Sequence, residues 1–371
     1  MAKTSKKRRP GGARPAASRS GNPAAPRSGN PAASRSGNPA ARPTAPVASR
    51  PTGPSARRPA HPLATALDID EVLPADGVAY PQILRTETFS VLRSLGGVVF
   101  GLALFLLITT LISQAVIALA WATTSGAETF RSYYVSAVAF EHPSGMLGAN
   151  LGIAALIPIT WMLMAVVHRV KPRWISSVQP RIRWRYLLLC LLIAVVALNG
   201  VLWLSTLAQG LPPFGRQAGF WGFLVVILLT SPLQAAAEEV FFRGYLMQAL
   251  GSLVAQPWFG VVVSSFVFAL LHGTQNLPLF LDRLGFGLLA AVLVWKTGGL
   301  EAGIAAHIVN NIFAYLVASL TTSIATIKAL QEIGWVDAAF DVGGFALFAG
   351  LAYLLARRMK LRTRVDLTST G

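Results

Sequence analysis

Charged residues make up only 13% of this 371-residue chain, far below the roughly 25% usual in soluble domains. That scarcity excludes an ordinary water-soluble globule. Cysteine is nearly absent: the single Cys190 excludes an intrachain disulfide and any Cys-cluster metal site, and its apolar surroundings suit a small buried hydrophobe. Acidic residues are few, 15 against 32 Lys and Arg, for a net charge of +17. In a soluble protein such an excess would suggest nucleic-acid binding. Here 13 of the 32 basic residues fall in residues 1–60, where there is no Asp or Glu at all. The excess belongs mostly to a tail, and no specific nucleic-acid partner is expected. A His-Glu-x-x-His helix is also missing, which removes the most familiar zinc-protease motif.

What is abundant is apolar. Hydrophobic residues form 53% of the chain and the mean hydropathy is +0.54. The expected fold is all-α, a polytopic transmembrane helix bundle of about eight spans with a disordered basic N-terminal tail. Apolar runs of about 20 residues, the length that crosses a ~30 Å hydrocarbon core, occur near 95–121, 146–167, 186–207, 225–249, 257–279, 280–297, 299–320 and 339–356. Four segments follow: a tail over 1–80, helices over 90–210, a motif-bearing core over 219–320, and a last helix with a basic C-terminus over 321–371.

The tail is built from Pro, Ala, Gly, Ser and Arg, and Arg-Ser-Gly-Asn-Pro-Ala-Ala recurs from Arg19, Arg27 and Arg35. It has too little apolar surface to offset its chain entropy. Lys3, Lys6, Lys7, Arg8 and Arg9 are followed by no apolar stretch, so a secretory signal peptide is not expected. The tail is a topology-fixing solvated segment or a contact for anionic lipid. Arg169, Lys171, Arg173, Arg181, Arg183 and Arg185, then Lys296, then Arg357, Arg358, Lys360, Arg362 and Arg364 all fall on one side of an eight-span arrangement. The positive-inside bias then puts both termini in the cytoplasm, in the plasma membrane of a bacterium. Trp residues flanking the spans read as interfacial anchors, Arg283 and Lys296 as helix-end residues that snorkel, and Pro158 and Pro232 as kinks.

Three charges interrupt the fourth span, in Glu238-Glu239-Val240-Phe241-Phe242-Arg243. A charge at the centre of a membrane helix costs about 2.5–3.5 kcal/mol on insertion scales, so such groups usually face a polar interior and serve a function. Glu239 and Arg243 are four apart and share a helix face, which suits an ion pair. Glu238 is rotated away without a local cation, and a desolvated carboxylate of that kind suits a general base or acid working near neutrality. Phe268 and His272 repeat the four-residue spacing in the middle of the fifth run, and His307 and Asn311 in the seventh. Taken singly, the ion pair and each histidine read as well as packing groups; together they point to a site.

In this order on three helices, Glu238-Glu239-x-x-x-Arg243, Phe268-x-x-x-His272 and His307-x-x-x-Asn311 resemble the CPBP family of intramembrane proteases, which includes the CAAX prenyl endopeptidases and the Abi proteins. The resemblance covers about residues 220–320. It implies peptide-bond hydrolysis in or beside the bilayer, on a membrane-associated or lipidated protein or peptide. In it Glu238 would activate water with help from His272, His307 and Asn311 would stabilise the oxyanion, and Glu239 with Arg243 would hold the helix. The family is often described as metalloproteases, so a divalent metal such as zinc on Glu238, His272 and His307 is one expectation; a metal-free, glutamate-dependent reaction is the other. Two further readings stay open. A proton-coupled transporter would also hold midplane charges, with Asp282 and Arg283 in the path, although no inverted repeat is visible. A non-catalytic scaffold or immunity factor of the same fold would not need all of these residues.

Overall fold

The computed structural model describes residues 72–124 and 128–369. The Arg-rich repeat and its possible lipid contact lie outside the described residues. Those described contain no β-strand, only the isolated bridges Ala79–Arg364 and Ser177–Gly299. Besides three short 3-10 turns, the described residues form ten helices: α1 Val91–Ala122, α2 Phe130–Val138, α3 Pro143–Val167, α4 Trp184–Gln209, α5 Phe220–Gly251, α6 Trp258–Leu270, α7 Leu277–Thr297, α8 Glu301–Thr321, α9 Ile324–Lys328 and α10 Trp335–Arg358. Seven of these, α1, α3, α4, α5, α7, α8 and α10, are long and apolar enough to cross a membrane. Their outward faces carry bare aliphatic side chains such as Leu119, Val196 and Leu229, each more than 70% exposed. The chain is a multi-pass membrane protein.

The fifth expected span is the correction. Instead of a full crossing over 257–279, α6 has 13 residues, about 20 Å at ~1.5 Å per residue and short of a ~30 Å core. It stops where Gly273 takes a left-handed backbone, φ +82°, in the turn before α7. That turn is anchored by Asn276, whose side-chain oxygen caps the Leu279 N–H at 3.1 Å. The chain nevertheless traverses the bundle eight times, as its end-to-end contacts show. At one end, Val178 N donates to Gly298 O at 2.9 Å, Val365 N to Val78 O at 2.9 Å, and Arg85 Nε to Ser252 O at 3.0 Å. At the other, Asn276 N donates to Gln331 O at 2.8 Å and Gly215 N to Leu320 O at 2.8 Å. Helix α6 with its turn therefore runs from the first end to the second. The first end gathers the basic segment 168–185 and the basic stretch after α10, so both ends of the described chain meet there.

Close packing follows small residues. Gly148 and Gly152, four apart on α3, leave no room for a Cβ: one there would lie 2.9 Å from Ser113 O and 2.6 Å from Thr109 O of α1. This is the spacing that lets membrane helices approach backbone to backbone. At the basic end, Arg183 is not a free loop charge. Its Nε donates to Glu301 Oε1 at 2.8 Å and its Nη1 to Thr297 O at 2.8 Å, tying the loop before α4 to the start of α8.

Candidate active site

The acidic motif sits at a break in regular helix. From Glu239 to Leu246, α5 widens into a π-helical segment, a form that recurs at functional sites because it re-aims side chains that a regular α-helix would direct elsewhere. Upstream, Asn150 of α3 donates to Thr230 Oγ1 at 2.8 Å and to Ser231 Oγ at 3.3 Å, beside Pro232.

Within the wide turn, Arg243 Nη1 donates to Glu239 Oε1 at 2.9 Å, with both side chains essentially inaccessible to solvent. The guanidinium carbon lies 4.0 Å from the centroid of Phe268 and 5.0 Å from that of Phe286. These aromatic faces supply cation–π contact where Arg243 Nε and Nη2 have no hydrogen-bond partner. Gly303 on α8 makes the approach of Glu239 achievable, since a Cβ there would stand 2.7 Å from Glu239 Oε2.

His307, four residues along α8 from Gly303, meets both carboxylates. Its Nδ1 is 2.9 Å from Glu239 Oε1 and its Nε2 is 3.3 Å from Glu238 Oε2. With Nδ1–H donated to the Arg-paired Glu239, the contact at Nε2 needs one more proton, held by His307 or by Glu238. Glu238 thus has a partner that its own helix does not supply. Asn311 donates from Nδ2 to Gln234 Oε1 at 2.9 Å, keeping its second N–H uncommitted to that bond.

His272 stands elsewhere than expected. It lies just past the end of α6, in the turn closed by Gly273, and not in the middle of a span. Its ring is fixed by Nδ1–H donating to Phe268 O at 2.8 Å, so in the neutral ring Nε2 presents a lone pair. Phe268 is the common wall: its ring centroid is 4.7 Å from that of His272 and 6.2 Å from that of His307. Arg283 is also displaced from its expected place. It falls on the second turn of α7 and faces inward, because α7 begins at Leu277, earlier than the apolar run suggests.

A cavity of about 350 Å³ joins these groups. Glu238, His272, His307 and Asn311 line it, while Glu239 and Arg243 lie behind Glu238 and His307. It is bounded by Phe140, Ile327, Lys328 and Leu330, which belong to the connections at the end away from the basic loops. Asn150, Gln234 and Tyr315 also line it, and sequence reasoning missed all three. The signal available was weak: Gln234 is one turn before Glu238 on the same helix, and Asn150 is a lone amide in an apolar run.

The expected metal set was Glu238, His272 and His307. Among the described residues no three His, Cys, Asp or Glu side chains come together as a ligand group. His307 meets Glu238 and Glu239 through its two ring nitrogens, and His272 Nδ1 donates to a carbonyl, which leaves His272 Nε2 open. No step is derived through a metal here.

Residues 220–313 match the family described as type II CAAX prenyl endopeptidase Rce1-like. The matched segment contains all six motif residues, and the resemblance drawn from the motifs holds. Over 222 residues, 55% of this chain and 73% of the relative, the chain is 26% identical to the uncharacterized protein YyaK of Bacillus subtilis (strain 168). No solved structure matches. Helices α1 to α4 lie outside the Rce1-like segment, yet α3 contributes Asn150 to its cavity.

Proposed function

We propose that this protein is a glutamate-dependent intramembrane endopeptidase that hydrolyses a peptide bond in a membrane-associated or lipidated protein or peptide. The observation that carries the reading is the contact of Glu238 with His307 on one wall of a cavity shared with His272 and Asn311. Glu238, as the carboxylate, takes a proton from water, and the hydroxide formed adds to the substrate carbonyl carbon. The lone pair on His272 Nε2 helps to orient that water. The second N–H of Asn311 donates to the oxygen on which negative charge develops, and His307 Nε2–H, which faces Glu238 until that carboxylate takes the water proton, then turns to the same oxygen. Collapse breaks the C–N bond as Glu238 returns the proton to the leaving nitrogen. Losing one such donor typically costs about 100- to 1000-fold in rate. Glu239 and Arg243 touch no substrate in this scheme; they hold Nδ1–H of His307 in place.

The protein would sit in a bacterial plasma membrane with the basic end of the bundle, and both termini, in the cytoplasm. The cavity is bounded by connections at the opposite end, so a substrate segment would reach it from there.

The test is hydrolysis by purified protein in detergent and in liposomes, against a peptide library that includes lipidated C-termini. Wild type, Glu238→Gln and chelator-treated wild type are compared. Cleavage that survives chelation and disappears in Glu238→Gln supports the reading. Equal turnover by Glu238→Gln and wild type would sink it, and loss on chelation would replace it with a metal-dependent reaction.

A further inference from the structure

The cavity that holds Glu238 is also lined by two cations. Arg283 lines it from α7 and Lys328 from the end of α9. Among the described residues neither cation forms an ion pair with a carboxylate. The guanidinium Nη1 donates to the neutral amide of Gln275, at 2.9 Å from Oε1, and Lys328 Nζ lies 5.1 Å from the ring centroid of Phe140. Gln275 is anchored in turn, its Nε2 donating to Ala269 O at 2.7 Å. The Arg283 fork is therefore aimed by the same turn that carries His272. Asp282, its chain neighbour, does not line the cavity.

An inward-facing arginine that forms no ion pair is expensive in an apolar bundle. Its planar fork matches a carboxylate with two parallel hydrogen bonds, a geometry that a neutral amide partner does not use up. Glu238, which lines the same cavity, repels the same anion. The opposite charges thus distinguish parts of the cavity, with an anionic group drawn toward Arg283 and the uncharged peptide bond left for Glu238 and His307.

We propose that Arg283, assisted by Lys328 at the rim, is a subsite for a carboxylate of the substrate, and that it decides which part of a peptide enters the cavity. The carboxylate is a free C-terminus or an Asp or Glu side chain. The subsite deepens the endopeptidase reading and rests on it for the bond cleaved, but not for the binding of the anion.

Three probes of one sequence test this: a cleavable fluorescent peptide with a free C-terminal carboxylate, the same peptide amidated, and an amidated version with a glutamate near the end. With wild type, the free-acid or the glutamate peptide is expected to show the lower KM, and which of them does so identifies the source of the anion. Arg283→Gln is expected to raise the KM for that peptide about tenfold or more, the scale of one lost charged hydrogen bond. It should leave kcat within about twofold and the amidated peptide unchanged, while Arg283→Lys recovers part of the loss. Lys328→Gln, on an exposed side chain that folding does not require, is expected to act in the same direction and less strongly. Equal effects of Arg283→Gln on charged and neutral peptides, or no preference in wild type, would overturn the subsite.

Fluorescence anisotropy of the same peptides with Glu238→Gln protein separates this proposal from the endopeptidase reading. Carboxylate-dependent binding that needs Arg283, with no cleavage by wild type, would keep the subsite and remove the protease. Cleavage indifferent to the terminus would do the reverse, and neither binding nor cleavage of any peptide would overturn the subsite too.

Discussion

Nδ1 of His307 stands 2.9 Å from Oε1 of Glu239, so an imidazole on one helix is oriented by a carboxylate on another. The same oxygen accepts from Arg243, and the three side chains form a buried relay that sets the far nitrogen of His307 against Glu238.

Breaking the buried pair by one side is expected to be costly. Glu239→Ala or Arg243→Ala leaves an uncompensated charge, a change worth roughly 3–5 kcal/mol, whereas Glu239→Leu with Arg243→Met removes both charges and should cost less. Thermal unfolding in detergent measures this. A double variant less stable than either single would show that the ion pair itself stabilises this turn of α5.

Gly303→Ala places a methyl 2.7 Å from Glu239 Oε2. Overpacking of this kind typically costs about 1–3 kcal/mol, and here it displaces the carboxylate that aims His307. Activity should fall together with stability, and unchanged turnover and unfolding temperature would contradict the close approach of α5 to α8.

Gln234→Ala removes the acceptor that fixes the Asn311 amide. The expected result is a reduced kcat with little change in KM, because the side chain orients a donor to the reacting oxygen. Gln234→Glu should restore the acceptor and recover part of the rate, and a variant altered only in KM would argue for a role in binding.

Acid should weaken the basic end. His168, beyond the last residue of α3, hydrogen-bonds Tyr245 at 3.1 Å and is pushed down to about 4, chiefly by burial and then by Arg93. The unfolded chain binds that proton near pH 6.5. Stability is therefore full above about 6.5, and falls as pH drops toward 4, by roughly 3 kcal/mol in all. Unfolding followed from pH 7.5 to 4.5 should show this loss in wild type and a smaller one in His168→Asn. Equal slopes would remove His168 as the cause.

Several features were legible in the linear chain for direct physical reasons. A 20-residue apolar run has few alternatives to a membrane helix, so seven of the eight runs became long helices, and the basic residues marked one end of the bundle. The Glu238-Glu239 motif stood out because charge is rare in such runs. Spacing four apart put Glu239 and Arg243 on one face and His307 and Asn311 on another, since this depends only on local helical geometry.

What lay beyond the sequence depends on contacts between distant segments. Hydropathy does not tell a 13-residue helix plus turn from a full crossing, because the apolar run continues through Leu270 and Leu271 to the residue before His272. Nor does it show that a π-turn begins at Glu239, that His307 rather than a neighbour on α5 faces Glu238, or that Arg283 turns inward and Asn150 joins from α3. Composition and periodicity determined a helical membrane bundle and the rare polar residues that would have to face its interior. Only packing in three dimensions decided which of those residues meet, because each contact joins helices whose separation along the chain carries no record of their separation in space.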